Sequence, residues 1–224
     1  MGQAIGDILP LAIGVAISPV PIIAIVLMLG TPRARSNGPA FAVGWVAGLT
    51  IVGGVLLALA SGNTEDGGDP ETWVSVVKLA LGVLFLLLAA RTWRGRPRAG
   101  QEAVMPKWMQ AIDTFTTGKS LGFGMLLSGV NPKNLALTIA AATAIAEAGL
   151  SGGEAAGALA VFILIGSLSI LAPVGIYFAL GTKAAVILDE VKTWMAAHNA
   201  AIMAVLLLVL GTKLIGDAIS GLSL

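Results

Sequence analysis

The sequence predicts an all-α integral membrane protein of six transmembrane helices, arranged as two inverted three-helix repeats, with helices 1 and 4 broken at the midplane. Three observations carry that prediction. The 224 residues are 57% hydrophobic and only 11% charged, where an average soluble domain carries about 25% charged residues; the mean hydropathy is +0.93. Six apolar runs lie at roughly 6–29, 38–60, 72–91, 118–146, 153–180 and 197–219, and each is long enough for the ~20 residues that a crossing needs. The first and fourth runs carry a Pro beside polar residues near their middle.

The segments between runs are marked by turn residues: "GTPRARSNGP" at 30–39, "SGNTEDGGDP" at 61–70 and "GLSGGE" at 149–154. Their charges alternate in sign. Arg33 and Arg35 follow the first run, and Glu65, Asp66, Asp69 and Glu71 the second. Arg91, Arg94, Arg96, Arg98, Lys107 and Lys119 follow the third, Glu147 and Glu154 the fourth, and Lys183 and Lys192 the fifth. Basic loops stay in the cytoplasm, so the first, third and fifth loops are expected there and both termini outside, in the cell (inner, plasma) membrane. Met1 to Leu9 carries only Asp7, so the first run reads as a retained span and not a cleaved signal.

This arrangement divides the chain into a first repeat at 1–92, a basic cytoplasmic loop at 93–117 and a second repeat at 118–224. The loop's "RTWRGRPR", with Trp93 among the arginines, suits an interfacial anchor and contact with anionic headgroups. In "PKWMQAIDTF", Trp108, Met109, Ile112 and Phe115 share a helical face, the pattern of a short amphipathic helix lying on the inner leaflet.

The two interrupted runs align. "AISPVPIIAI" at 16–25 matches "SGVNPKNLAL" at 128–137, which sets Pro19 against Pro132 and Ser18 against Asn131. Proline removes a backbone donor and clashes with the carbonyl four residues back. Pro19 and Pro21 thus free the carbonyls of Val15 and Ile17, and Pro132 frees that of Ser128. A freed carbonyl costs several kcal/mol in lipid unless protein or water satisfies it. Paired broken helices in matching positions of inverted halves point to a transporter's central site. Leu81–Gly82 and Leu210–Gly211 are a weaker match between the third and sixth runs.

Lys133 is the charged residue nearest the centre of any run, and no run holds a central Asp or Glu to pair with it. It reads as an attractor for an anionic substrate group such as a carboxylate, sulfate or phosphate. The alternatives are a proton relay, snorkelling, or pairing with the freed carbonyls of the first run. Asn131, Asn134, Ser18, Ser128 and Thr138 lie at similar depth and complete a polar patch. The same groups also suit hydrogen-bond glue between helices. Pro19, Pro21 and Pro132 are the expected break and hinge positions.

Other polar residues have blander readings. Lys78 snorkels outward, Lys213 and Asp217 form an i,i+4 pair, and Asp7 starts a helix. His198, the one histidine, falls in a polar loop. Gly44-xxx-Gly48, Gly118-xxx-Gly122 and Gly149-xxx-Gly153-xxx-Gly157 offer small faces for close packing and leave room for a homodimer. The chain has no Cys. With no P-loop, no Ser/His/Asp set, no metal-ligand cluster and no nucleic-acid motif, the sequence predicts a non-enzyme without cofactor, metal or nucleic-acid partner.

The stretches "SPVPIIAIVLML", "AFAVGWVAG" and above all "GVNPKNLAL" resemble the GAP family of actinobacterial membrane proteins, the peptidoglycolipid-addressing or sulfolipid-1-addressing proteins, within the wider lysine-exporter (LysE) superfamily. The resemblance covers nearly the whole chain. It implies an exporter that moves glycolipid towards the cell surface, with Ser18, Pro19, Pro21, Asn131, Pro132, Lys133 and Asn134 as the positions that carry over. The superfamily's thiol-redox branch needs paired cysteines, which this chain lacks.

Two transport readings follow, and one other. In the first, an anionic lipid or glycolipid headgroup binds at Lys133 while its acyl chains stay in the bilayer, with alternating access about the two breaks. In the second, a LysE-type exporter carries a small solute, an amino acid or an ion; the lack of a central acid counts against cations. In the third, a non-transporting scaffold recruits enzymes through the basic loop.

Overall fold

The computed structural model describes residues 1–62, 70–96, 109 and 111–222. Among them every regular element is helical. The helices are α1 (Gly2–Ala16), α2 (Pro19–Leu29), α3 (Ala34–Gly62), α4 (Pro70–Arg94), α5 (Thr117–Gly129), α6 (Pro132–Glu147), α7 (Gly152–Leu180) and α8 (Ala184–Leu222), with 3₁₀ turns at Ile112–Thr114 and Gly181–Lys183. Four stretches are long and apolar enough to cross a membrane: α3, Val74–Arg94 of α4, α7 and α8. The α1–α2 pair makes a fifth if counted as one crossing, bent by 51°. The chain is therefore a multi-pass membrane protein. The run expected at 118–146 is divided between α5 and α6, 13 and 16 residues long.

Several expected boundaries move. The turn at 30–39 shrinks, because α3 already starts at Ala34 and runs through Pro39. The segment 181–196, with its Asp189, Glu190 and Lys192, is not the expected loop; after the 3₁₀ turn at Gly181–Lys183 it is the start of α8, and His198 is helical too. Charge keeps a segment out of lipid but does not stop it being a helix. At ~1.5 Å per residue, the 39 residues of α8 run to about 58 Å. The Trp194 and His198 rings stack one turn apart on it. The acidic Glu65, Asp66 and Asp69, and the basic-loop residues Arg98, Lys107 and Trp108, lie outside the described residues. Met109 and Phe115 pack against the core, and Ile112 is buried in it.

The helices pair closely: α4 lies along α8, α3 along α5, and α1 along α7. The α3–α5 seam depends on glycine. A Cβ on Gly44 would run into the Leu121 carbonyl, one on Gly48 into Ser128, and one on Gly124 into the Phe41 carbonyl. The Gly44-xxx-Gly48 face is thus a packing face. A Cβ on Gly118, Gly122, Gly149 or Gly153 would meet nothing within 4 Å, and one on Gly157 would meet only the tip of Met1. Those repeats do not pack helices; Gly149 makes a turn at φ +58°. Gly82 on α4 and Gly211 on α8 meet backbone to backbone: each one's Cβ position lies 2.9–3.0 Å from the other's carbonyl oxygen.

The molecule has two ends. The start of α1 and the ends of α6 and α8 share one, the termini face. The end of α2, the start of α3, the end of α7 and the start of α8 share the other. Arg33, Arg35, Arg91 and Arg94 are exposed at that second end, the arginine face, where Arg96 also stacks on Trp93.

Candidate functional site

A helix end leaves four carbonyls without intrahelical donors. At the end of α1 these are Gly14, Val15, Ala16 and Ile17, and each finds a partner. Val15 and Ile17 lose their usual donors because Pro19 and Pro21 have no N–H. The Ser18 hydroxyl donates to the Val15 carbonyl at 2.7 Å, and the Ser18 N–H to that of Ala16 at 2.9 Å. The other two are reached from a different helix. Lys133 Nζ, at the start of α6, donates to the Gly14 carbonyl at 2.6 Å and to that of Ile17 at 3.1 Å. Its third bond goes to Ser18 Oγ at 2.6 Å. An ammonium has three donors and no acceptor, so all three are used. Lys133 is 5% exposed and has no ion pair among the described residues.

The α5–α6 break is closed mostly by its own neighbours. Val130 N–H donates to the Leu126 carbonyl at 2.9 Å. Asn134 Nδ2 donates to the Leu127 carbonyl at 3.1 Å. Asn131 caps α6: its Oδ1 accepts from the Lys133 N–H at 3.1 Å, with Pro132 in the first turn. Asn134 Oδ1 lies 3.3 Å from Ser18 Oγ, an alternative acceptor for that hydroxyl. The two breaks therefore touch, and Ser18, Lys133 and Asn134 form one buried polar cluster. The other expected site residues are engaged elsewhere. Thr138 donates to the Asn134 carbonyl at 2.8 Å, Ser128 donates to that of Met125 at 3.1 Å beneath Gly48, and Asn131 is the cap.

A cavity lies at each end of the molecule. The one on the arginine face, about 630 Å³, is lined by Val26, Leu27, Arg35, Asp113, Tyr177 and Lys192 among others. The one on the termini face, about 500 Å³, is lined by Asp7, Leu11, Lys78, Ala140, Glu147, Lys213 and Asp217 among others. Ser18, Lys133 and Asn134 line neither. The barriers between cluster and cavities differ. From Leu11, in the termini-face cavity, to Gly14 is three residues, ~4.5 Å along the helix. Leu137 and Leu210 close that gap over Gly14, at 3.0 and 2.8 Å from its Cβ position. From Ser18 to Val26, in the other cavity, is eight residues, ~12 Å, filled by buried Ile22, Ile23 and Ile25.

Two further groups have no signal in the sequence. Lys78, expected to snorkel, instead pairs with Glu147 at 2.6 Å across α4 and α6. Residues 69 apart in sequence give no local sign of such a pair. Lys213 and Asp217 do pair one turn apart, at 2.6 Å. Trp45 and Ser167 are buried with Nε1 and Oγ unpartnered. A buried tryptophan is visible as a core residue in the sequence, but the fate of its N–H is not.

These features define a polytopic helical membrane protein with two helix breaks cross-linked at its centre and a cavity at each end. The chain belongs to the SfLAP family, described as Sap, sulfolipid-1-addressing protein, which matches residues 8–220. Comparisons with curated proteins and with solved structures each return no match.

Proposed function

We propose that this chain is an exporter, not an enzyme, that carries an anionic lipid, glycolipid or lipid-like substrate towards the cell surface by alternating access about its two broken helices. The observation that carries this reading is the triple hydrogen bond of Lys133 from the start of α6 to the end of α1. A charged side chain inside a membrane protein normally marks a pathway. Here it is held by three neutral oxygens with no carboxylate, so an anionic group can replace them without breaking an ion pair. Exchange of those bonds for a substrate headgroup would release α6 from α1 and couple binding to movement. The family's link to sulfolipid addressing supports an anionic lipid as the cargo.

In this reading α5–α6 is a sixth span, and residues 1–92 and 118–224 form two inverted repeats joined by the segment 93–117. The packing supports it. Under that repeat α4 and α8 are equivalent, and they pack together with Gly82 against Gly211. Likewise α3 on α5 corresponds to α7 on α1, and both pairs are in contact. In this reading the exposed arginines support a cytoplasmic arginine face, with both termini outside.

The test is mass spectrometry of lipid that copurifies in mild detergent with the wild type and with Lys133→Ala. Enrichment of an anionic lipid on the wild type and its loss on Lys133→Ala is expected. Equal, background-level lipid on both would overturn the reading and leave export of a small solute in its place.

A further inference from the structure

Hydroxyls inside membrane helices usually bond back to a carbonyl three or four residues earlier. Thr50, Ser120, Ser128, Thr138, Thr143 and Thr212 all do so. Ser167 on α7 does not: it is 1% exposed, and its Oγ has no partner. Trp45 on α3 is fully buried, and its Nε1 has none either. Tryptophan in a membrane protein belongs at the interface, where its N–H meets water. A buried donor left unpaired opposes folding, and among the described residues Trp45 Nε1, Ser167 Oγ and Ser169 Oγ are three such groups that call for an explanation.

Helix geometry brings Trp45 and Ser167 to the level of the central cluster. Gly166, next to Ser167, faces α1 and α3: its Cβ position is 3.1 Å from Val15 and 3.7 Å from Leu49. Val15, Leu49 and Gly166 therefore share one layer. One turn towards the arginine face, α1 reaches Ser18 and α3 reaches Trp45. The indole N–H is a donor only, as is the Lys133 ammonium. None of the carboxylates among the described residues lies in this layer; they sit near the helix ends. The Trp45 indole and the Ser167 hydroxyl thus present donors without acceptors, beside an ammonium whose three donors are met by neutral oxygens alone.

We infer that Trp45 and Ser167 are substrate contacts, which donate hydrogen bonds to the acceptor oxygens of a sulfate, phosphate or sugar group that enters beside Ser18 and Lys133. The inference rests on the exporter reading and deepens it, because it specifies an oxygen-rich, hydrogen-bond-accepting headgroup and excludes an ammonium as the partner of Trp45. In the closed arrangement the two donors wait unpaired.

The test uses the full chain, stripped of lipid in detergent and offered sulfatide (a sulfated galactolipid) or unsulfated galactosylceramide. Ser167→Ala and Trp45→Phe are compared with the wild type and with Lys133→Ala. Loss of a hydrogen bond to a charged group should lower retention about tenfold. The lipid-free melting temperature of Ser167→Ala should not fall, because the hydroxyl removed had no partner. Preference for sulfatide assigns the contact to sulfate oxygens, and equal retention of both lipids assigns it to sugar hydroxyls; either outcome supports the inference. Retention by both variants at the wild-type level, with loss in Lys133→Ala, overturns this inference alone. So does a lower lipid-free melting temperature in Ser167→Ala, which would mark a structural hydroxyl. If the wild type retains no lipid above Lys133→Ala, the exporter reading falls and takes the inference with it.

Discussion

The two helix breaks have similar sequences but opposite dependence. The α5–α6 break is capped by Asn131 and Asn134, residues of its own connection and first turn. The α1–α2 break closes two of its carbonyls through Ser18, but the other two wait for Lys133 from α6. The donors found for the Leu126 and Leu127 carbonyls at one break are local, whereas two of the four carbonyls at the other are met only on docking. A joint that depends on its neighbour can be released by competing for that neighbour, and a self-capped joint cannot.

The largest effect should come from Lys133→Met, which leaves the Gly14 and Ile17 carbonyls without donors. We expect a loss of about 2–4 kcal/mol in detergent unfolding, since intramembrane hydrogen bonds are individually modest but freed carbonyls are costly. Ser18→Ala removes one acceptor of Lys133 and the donor to Val15, for about 1–2 kcal/mol. A double-mutant cycle with Lys133→Met should give less than the sum; full additivity would mean that the two do not act together. Asn131→Ala loses only a helix cap, about 1 kcal/mol, and that loss should persist unchanged in a Lys133→Met background. Strong coupling there would contradict the self-capped account of the second break. Lys78→Gln should cost least, within the ~0–1 kcal/mol of a partly exposed ion pair, and the difference from wild type should shrink in high salt. A cost above that of Ser18→Ala would mean that the Lys78–Glu147 pair holds α6 more firmly than Ser18 does.

Much of this contrast was legible in the chain. Six prolines lie in the apolar runs; Pro21 follows Pro19 in the first turn of α2, and Pro10, Pro39 and Pro173 sit within continuous helices. Pro19 and Pro132 begin new ones. The residue before each explains the difference. Ser18 and Asn131 are cap formers, and a cap followed by Pro is the signature of a helix start. Leu9, Gly38 and Ala172 precede the other three. For Lys133, pattern alone left open an anion, a proton relay, snorkelling and freed carbonyls. Choosing the carbonyls needed the distance between α1 and α6, which no local pattern holds. The polar patch was drawn too wide for the same reason. Depth in the membrane groups Ser128 and Thr138 with Lys133, but their hydroxyls bond back to their own helices.

The length of α8 has one more consequence. About 58 Å of continuous helix is nearly twice the ~30 Å of a bilayer's hydrocarbon layer. Val186, Ile187, Val191 and Trp194 are exposed on its first turns, so that end carries apolar surface beyond the expected crossing. A helix too long for its bilayer answers hydrophobic mismatch by tilting. Its tilt is shared with Leu210, which covers Gly14, and with Leu188, which lines the arginine-face cavity. Bilayer thickness thereby becomes a variable that acts on the termini-face barrier and on the arginine-face cavity at once, without any ligand.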